Sequence, residues 1–142
     1  MGRKFISDNG FAVNDLLDQI KSEIEDSDIE SEMKAEVSQA IEQARNVSKF
    51  ILENIQKDPN LAGSSSYSFL MMMGYLVGGW IAVRSITAAR KSLKETDDKE
   101  FYNAKIISSN FYIEQFMPLV TSFGSSAMQG SKSMMSMPDD QF

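Results

Sequence analysis

The run from Tyr67 to Lys94 constrains the fold of this chain more than any other feature. Its first part, Tyr67 to Val83, carries no charge and contains three consecutive methionines, three glycines and the only tryptophan. Apolar side chains recur there at the spacing of one helical face: Phe69, Met72, Met73, Leu76, Trp80 and Val83. Leu70, Val77 and Ile81 fill much of the other side. Because a helix that is apolar nearly all round needs neighbours on all sides, this run predicts the central helix of a bundle.

Three glycines lie inside this predicted helix. Gly74, Gly78 and Gly79 each weaken a helix by roughly 1 kcal/mol relative to alanine. They do not form a phosphate-binding loop, because no strand precedes them and their spacing fits neither glycine-rich fingerprint. We therefore expect them to let a neighbouring helix approach closely.

The composition narrows the classes of function. The 142 residues include no cysteine and no histidine, which excludes disulfides, thiol nucleophiles, Ser-His-Asp catalysis and ordinary zinc sites. Three prolines and little clustering of β-branched residues favour an all-α protein of a single domain. The net charge of −6 argues against a nucleic-acid partner. The absence of cysteine favours a cytoplasmic location.

A membrane span is the competing interpretation of the apolar run. Gly74 and Gly78 form a GxxxG pair, and no charge occurs from Leu61 to Val83. However, the Gly/Ser-rich segment Ala62–Ser68 leaves a dense apolar run of roughly 22 Å, short of a bilayer core of about 30 Å. We expect no membrane span, with a membrane-associated protein as an alternative.

The helical periodicity predicts an up-and-down bundle of four main helices with a short extra helix and a loose C-terminal tail. The single domain, residues 1–142, divides into an incoming arm (1–10), the bundle (11–128) and the tail (129–142). The predicted helices are Phe11–Asp26, Ile29–Lys57, Tyr67–Lys94, Lys99–Met117 and about Leu119–Met128. A loop over Leu61–Ser66 supplies serines that cap the third of these helices, and the turn Thr96-Asp97-Asp98 caps the fourth.

Each outer helix has an apolar stripe that we expect to be buried. The stripe of the first helix is Val13, Leu16, Leu17, Ile20 and Ile24. The stripe of the second is Met33, Val37, Ile41, Ala44, Val47, Ile51, Leu52 and Ile55. The stripe of the fourth is Phe101, Ala104, Ile107, Phe111 and Phe116.

Candidate sites are few. Asp26, Asp28 and Glu30 match the first positions of a calcium-binding loop, but Ser31 and Val37 stand where it needs glycine and glutamate, which favours a solvated helix–helix corner. The methionines are expected to be core filler inside the bundle and a partner surface in the tail. The rings of Tyr102 and Tyr112 are expected in the core with their hydroxyls at its edge, and Lys105 is expected to be solvated. We assign no catalytic, cofactor-binding or metal-binding residue.

Several stretches resemble one family. They are Phe69-Leu70, Gly74, Gly78, Trp80, the phrase FYNAKIISSNFYIEQFMPLV from Phe101 to Val120, Gly130 and Met134-Met135. Together they resemble the C-terminal helical domain of the longer acyl-CoA dehydrogenases, similar to 3-methylmercaptopropionyl-CoA dehydrogenase. The resemblance covers nearly the whole chain and rests on packing residues.

The resemblance implies a longer parent protein, of which this chain is a fragment. Such a parent is an FAD-dependent enzyme that oxidises an acyl-CoA to its trans-2-enoyl product and passes electrons to an electron-transfer flavoprotein. The family's IYEGT-type stretch with its catalytic glutamate, its flavin-binding β-domain and its CoA-binding segments do not occur in this sequence. The resemblance therefore implies an accessory domain without cofactor or catalysis of its own. It would brace the dehydrogenase core and shape the interface of a homo-oligomer.

A free-standing interaction module remains an alternative from another class. In that case the chain would act alone, as a helical dimer whose contact runs from Met128 to Met137.

Overall fold

The computed structural model describes residues 2–95 and 97–141, and every regular element in those ranges is helical. The elements are α1 (Gly2–Ser7), α2 (Phe11–Asp26), α3 (Ser31–Asn54), α4 (Leu61–Ser92), α5 (Lys99–Phe116), α6 (Pro118–Ala127) and a 3₁₀ turn (Asp139–Gln141). The predicted all-α bundle is confirmed. Met1 in the predicted arm, Thr96 in the predicted turn and Phe142 in the predicted tail lie outside the described residues.

Helices α2 and α3 follow their predicted stripes. The bounds of α2 match the prediction, and α3 is shorter than predicted by a few residues at each end. Both helices bury the residues that recur at helical spacing: Leu17, Ile20, Ile24, Val37, Ile41, Ala44, Val47 and Ile51. The predicted arm contains the short helix α1, and it ends at Asn9 and Gly10, which both have positive φ. Phe5 of α1 packs on Phe69, with 5.5 Å between the ring centroids.

Helix α4 begins at Leu61, so the predicted loop over Leu61–Ser66 is wrong. Its serines do not cap the helix; they bond to carbonyls on the helix itself or on a neighbour. Ser64 Oγ donates to the Leu61 carbonyl at 3.2 Å, and Ser66 Oγ donates to the Gly63 carbonyl at 2.8 Å. Ser65 Oγ donates to the carbonyl of Ala127 at 2.7 Å, which ties the start of α4 to the end of α6. A Gly/Ser-rich segment can therefore stay helical when tertiary contacts hold it.

The early start of α4 removes the length argument against a membrane span. With 32 residues, α4 is long and apolar enough to cross a bilayer by length and composition, and 39% of its best 18-residue window is buried. The core helix of a soluble protein passes the same test. Length alone therefore does not separate the two interpretations.

Helix α4 is not buried on all sides, in contrast to the prediction. It packs on α3, α5 and α6, and Phe69, Met72, Leu76 and Val83 are buried. Leu70 is 69% exposed and Ile81 is 47% exposed, so the described helices leave part of α4 uncovered.

The last helix and the tail are attached to the loop between α3 and α4. Pro118 occupies the first turn of α6, where its missing N–H costs no hydrogen bond. Beyond α6, the Ser131 amide and hydroxyl donate to the two carboxylate oxygens of Asp58 at 3.0 and 2.6 Å. The predicted loose tail is thus anchored at Ser131.

The anchor predicts a measurable shift in the titration of Asp58. The Ser131 hydroxyl, more than any other group, holds the pKa of Asp58 below its ordinary value of 3.8. The pKa of Asp58 is lower in the folded chain than in the unfolded chain, so this contact contributes its full stabilisation above the unfolded pKa. The contribution is lost as pH falls through the folded pKa. We expect Ser131→Ala to move the pKa of Asp58 back toward 3.8, measured by NMR titration of the side-chain carboxyl. Ser133→Ala is the matched control, and an unchanged titration in Ser131→Ala would contradict the anchor.

Candidate functional site

The acidic corner between α2 and α3 is held by Arg90 near the end of α4. The guanidinium donates to the carbonyl of Asp28 at 2.6 Å and pairs with the carboxylate of Glu30. The pKa of Glu30 is lowered first by a hydrogen bond that its carboxylate accepts from its own backbone amide, and second by the hydrogen bond from Arg90. Arg90 therefore ties the end of α4 to the connection between α2 and α3. Among the described residues, no group of three or more carboxylates lies close enough together to hold a metal ion.

A second polar junction joins the middle of α4 to α2. Trp80 Nε1 donates to the Glu23 carboxylate at 2.8 Å. The Arg84 guanidinium lies 5.2 Å from the centre of the Trp80 ring, and its Nε lies 3.5 Å from the same carboxylate. The tryptophan thus has a packing role with its polar edge satisfied.

An aromatic cluster joins α4 to α5 and α6. The ring of Tyr75 stacks on Phe116 and Phe123, with centroid distances of 6.1 and 5.6 Å, and Tyr112 stacks on Phe116 at 5.1 Å. Tyr112 Oη donates to the Tyr75 carbonyl at 3.4 Å, and burial, then Tyr75, raises the pKa of Tyr112. Tyr112 is therefore half-buried, with its ring in the cluster and its hydroxyl against the backbone of α4.

Helix α5 presents its predicted core stripe to the outside. Ile107 is 69% exposed, Phe111 56% and Phe101 50%, and Ala104 is exposed as well. We call these four residues the outer α5 stripe. The prediction that they are buried is wrong; of the five predicted residues, Phe116 alone is half-buried.

The opposite face of α5 is the one that packs. It buries Ser109 and Ile113, followed by Met117 just past the helix end. Two glycines of α4 leave the space for this face. A Cβ on Gly78 would lie 2.0 Å from Tyr112 Oη, and a Cβ on Gly79 would lie 2.2 Å from Met117 Sδ. The close helix approach expected at the glycines thus occurs at Gly78 and Gly79.

A groove of about 670 Å³ opens between α1, α2 and α4. We call it the N-terminal groove. Its floor includes Phe5, Phe69 and Met73, its wall includes Leu70, and Lys4 and Asp8 also line it. Phe11, next in the chain to the lining residue Ala12, is 72% exposed.

The methionines divide between the core and the surface. Met72 and Met117 are fully buried, which confirms methionine as filler in the bundle. In the tail, Met134, Met135 and Met137 are exposed. The outer α5 stripe, the N-terminal groove and these tail methionines are the exposed apolar surfaces through which the chain could meet a partner.

The chain belongs to the family described as acetyl-CoA dehydrogenase C-terminal like, which matches residues 16–138. This confirms the resemblance found in the sequence. One relative is the 3-methylmercaptopropionyl-CoA dehydrogenase of Ruegeria pomeroyi, 27% identical over 121 residues, with 82% of this chain and 21% of that protein covered. Another is the broad-specificity linear acyl-CoA dehydrogenase FadE5 of Mycobacterium tuberculosis, 26% identical over 132 residues, with 84% of this chain and 22% of that protein covered.

The match covers only a small part of each relative, about a fifth of its length. The activity in their names belongs to the whole proteins, and the matched part is the helical bundle described above.

Proposed function

We propose that this chain is the C-terminal accessory domain of an FAD-dependent acyl-CoA dehydrogenase and is not catalytic alone. The observation that carries the proposal is the family match over residues 16–138, together with relatives that are named as dehydrogenases and of which the match covers about a fifth. The parent would oxidise an acyl-CoA thioester to the trans-2-enoyl product. We propose that it is a cytoplasmic homo-oligomer that passes its electrons to an electron-transfer flavoprotein.

The contacts of the polar side chains support an accessory role. Glu23, Glu30 and Asp58 each bind a partner on another helix or on the tail. These contacts hold the bundle together. We assign FAD and the catalytic base of the parent to its core, and no residue of this chain to either.

The N-terminal groove is the surface we assign to the dehydrogenase core. In a C-terminal domain the core precedes α1, so the short helix and the groove beside it lie next to the connection. A tethered core has a high effective concentration at a nearby surface, and burial of Leu70 and the floor of the groove would stabilise the docked state.

The native gene product tests the proposal directly. An antibody against this segment, used on lysate of the source cell, should detect a band several-fold larger than 15.9 kDa. The purified product should carry flavin, released on denaturation and identified by its absorption spectrum. A band at the size of this chain would mean that the domain exists alone, and the dehydrogenase proposal would fail.

Docking on the core has its own test in the long product. Leu70→Asp places a charge in the N-terminal groove, so we expect it to lower the temperature at which flavin is released. Ser22→Asp, on the exposed face of α2, is the matched control. Equal release temperatures for wild type, Leu70→Asp and Ser22→Asp would show that the core docks elsewhere.

Two other functions are supported by specific observations. The exposed tail methionines favour a free-standing interaction module, which a native band at 15.9 kDa would move to first place. The length and hydropathy of α4 also fit a membrane-associated protein. Sedimentation of the native product with the membrane fraction, and its release by detergent alone, would support that function over the other two.

A further inference from the structure

Helix α5 is apolar on two opposite faces but packs with one. Its contacts are with α4 and, at its C-terminal end, α6, through the face that buries Ser109 and Ile113. At 3.6 residues per turn, Ala104, Ile107 and Phe111 fall in one line on the opposite side, with Phe101 at its edge. A helix of 18 residues is about 27 Å long, so this line extends along much of its exposed side.

We propose that the outer α5 stripe pairs with the same stripe of a second copy of this chain, with the two helices antiparallel. A twofold axis that passes between Lys105 and Ile106 places Ala104 of each copy against Ile107 of the other. The small side chain receives the large one, which is how packed helices interdigitate. The same axis places Phe111 of one copy opposite Glu100 of the other, next in the chain to Phe101. The stripe is thus complementary to itself, as a twofold interface requires.

The charges around the stripe fit the same arrangement. Lys99 at one end and Glu114 at the other are both exposed, and neither has an ion-pair partner among the described residues. The antiparallel arrangement brings Lys99 of each copy close to Glu114 of the other. Burial, then the charge of Glu114, raises the pKa of Glu36, so Glu114 lies near another carboxylate in the single chain. A lysine from the second copy would offset that repulsion.

The pairing gives a contact surface to the homo-oligomer proposed above, and it stands independently of the dehydrogenase assignment. The native mass and the flavin content test the dehydrogenase assignment, whereas the helix pairing is tested by experiments on this chain alone. One pair of helices makes a small interface, so we expect an equilibrium between monomer and dimer that depends on concentration.

Sedimentation velocity over a range of concentrations tests the pairing. The wild-type chain should shift from monomer to dimer as concentration rises. Ile107→Glu should stay monomeric, because each copy would bury one unpaired carboxylate in the interface. Leu70→Glu is the matched control, since it places the same charge on an equally exposed leucine of another surface. It should dimerise as the wild type does. Circular dichroism should show all three to be equally helical.

A single engineered thiol tests the geometry. The chain has no cysteine, so Ala104→Cys introduces one thiol that lies close to its twin across the proposed axis. Oxidation should give a disulfide-linked dimer in high yield. Ala35→Cys, at an exposed alanine of α3, should give little under the same conditions.

Three results would overturn the pairing. A wild-type chain that stays monomeric at the highest concentration would remove it. So would a dimer that Ile107→Glu leaves intact, or equal cross-linking of the two cysteine variants. A dimer abolished by deletion of residues 129–142, and not by Ile107→Glu, would move the contact to the methionine-rich tail.

Discussion

Leu76→Ala is expected to lower the free energy of unfolding by about 2–5 kcal/mol. Leu76 is fully buried in α4, and its side chain belongs to the core that α2, α3 and α6 complete. Truncation removes buried methyl groups and leaves a cavity that the surrounding helices fill only in part. Urea denaturation followed by circular dichroism measures the loss.

The control for this substitution lies six residues earlier on the same helix. Leu70→Ala changes the same side chain at a position that is 69% exposed, so the free energy of unfolding should change by about 0.5 kcal/mol or less. Both variants replace leucine by alanine in one helix, which cancels the difference in helix propensity. Equal losses for the two would mean that the Leu70 side of α4 is covered in solution, and the described burial would be wrong.

Gly78→Ala and Gly74→Ala are expected to change stability in opposite directions. A Cβ at Gly78 would lie 2.0 Å from Tyr112 Oη and 2.4 Å from Tyr112 Cζ, whereas a Cβ at Gly74 meets nothing within 4 Å. The ring of Tyr112 cannot withdraw easily, because it stacks on Phe116 and its hydroxyl donates to the Tyr75 carbonyl. We expect Gly78→Ala to cost about 1–3 kcal/mol and Gly74→Ala to stabilise by about 0.5–1 kcal/mol.

A double variant separates the contact from the helix. If the loss in Gly78→Ala comes from Tyr112, then Tyr112→Ala should cost less in the Gly78→Ala background than in the wild type, and thermal or urea unfolding of the four proteins gives the coupling energy. Additive losses would show that the clash is relieved elsewhere. A stabilised Gly78→Ala would mean that α4 and α5 lie farther apart than described.

The candidate surfaces show where sequence reasoning ends. Periodicity identified the apolar stripe of α5 from Phe101 to Phe111, but it could not say that this stripe faces outward. Two faces of α5 are apolar, and the choice between them depends on the side chains that fit beside Gly78 and Gly79. The N-terminal groove had no signal in the sequence, because it exists only where α1, α2 and α4 meet.

The start of α4 differs from the prediction for a related reason. Glycine and serine favour a loop by propensity, which predicts a loop over Leu61–Ser66. In the structure Leu61 is buried and Ser65 bonds across to Ala127, so contacts with α6 outweigh the local preference.

The sequence by itself determined features that depend on neighbouring residues within one helix or on the residue pattern of the whole chain. The spacing of Leu17, Ile20 and Ile24 predicts the buried face of α2, and the capping turn predicted at Thr96-Asp97-Asp98 contains the cap of α5, Asp98, which accepts from the amide of Phe101. The packing residues also identified the family. The tertiary structure decided which face of α5 packs, where α4 begins and which apolar residues remain exposed. Those outcomes depend on the shapes of side chains distant in sequence, and periodicity along one helix carries no information about them.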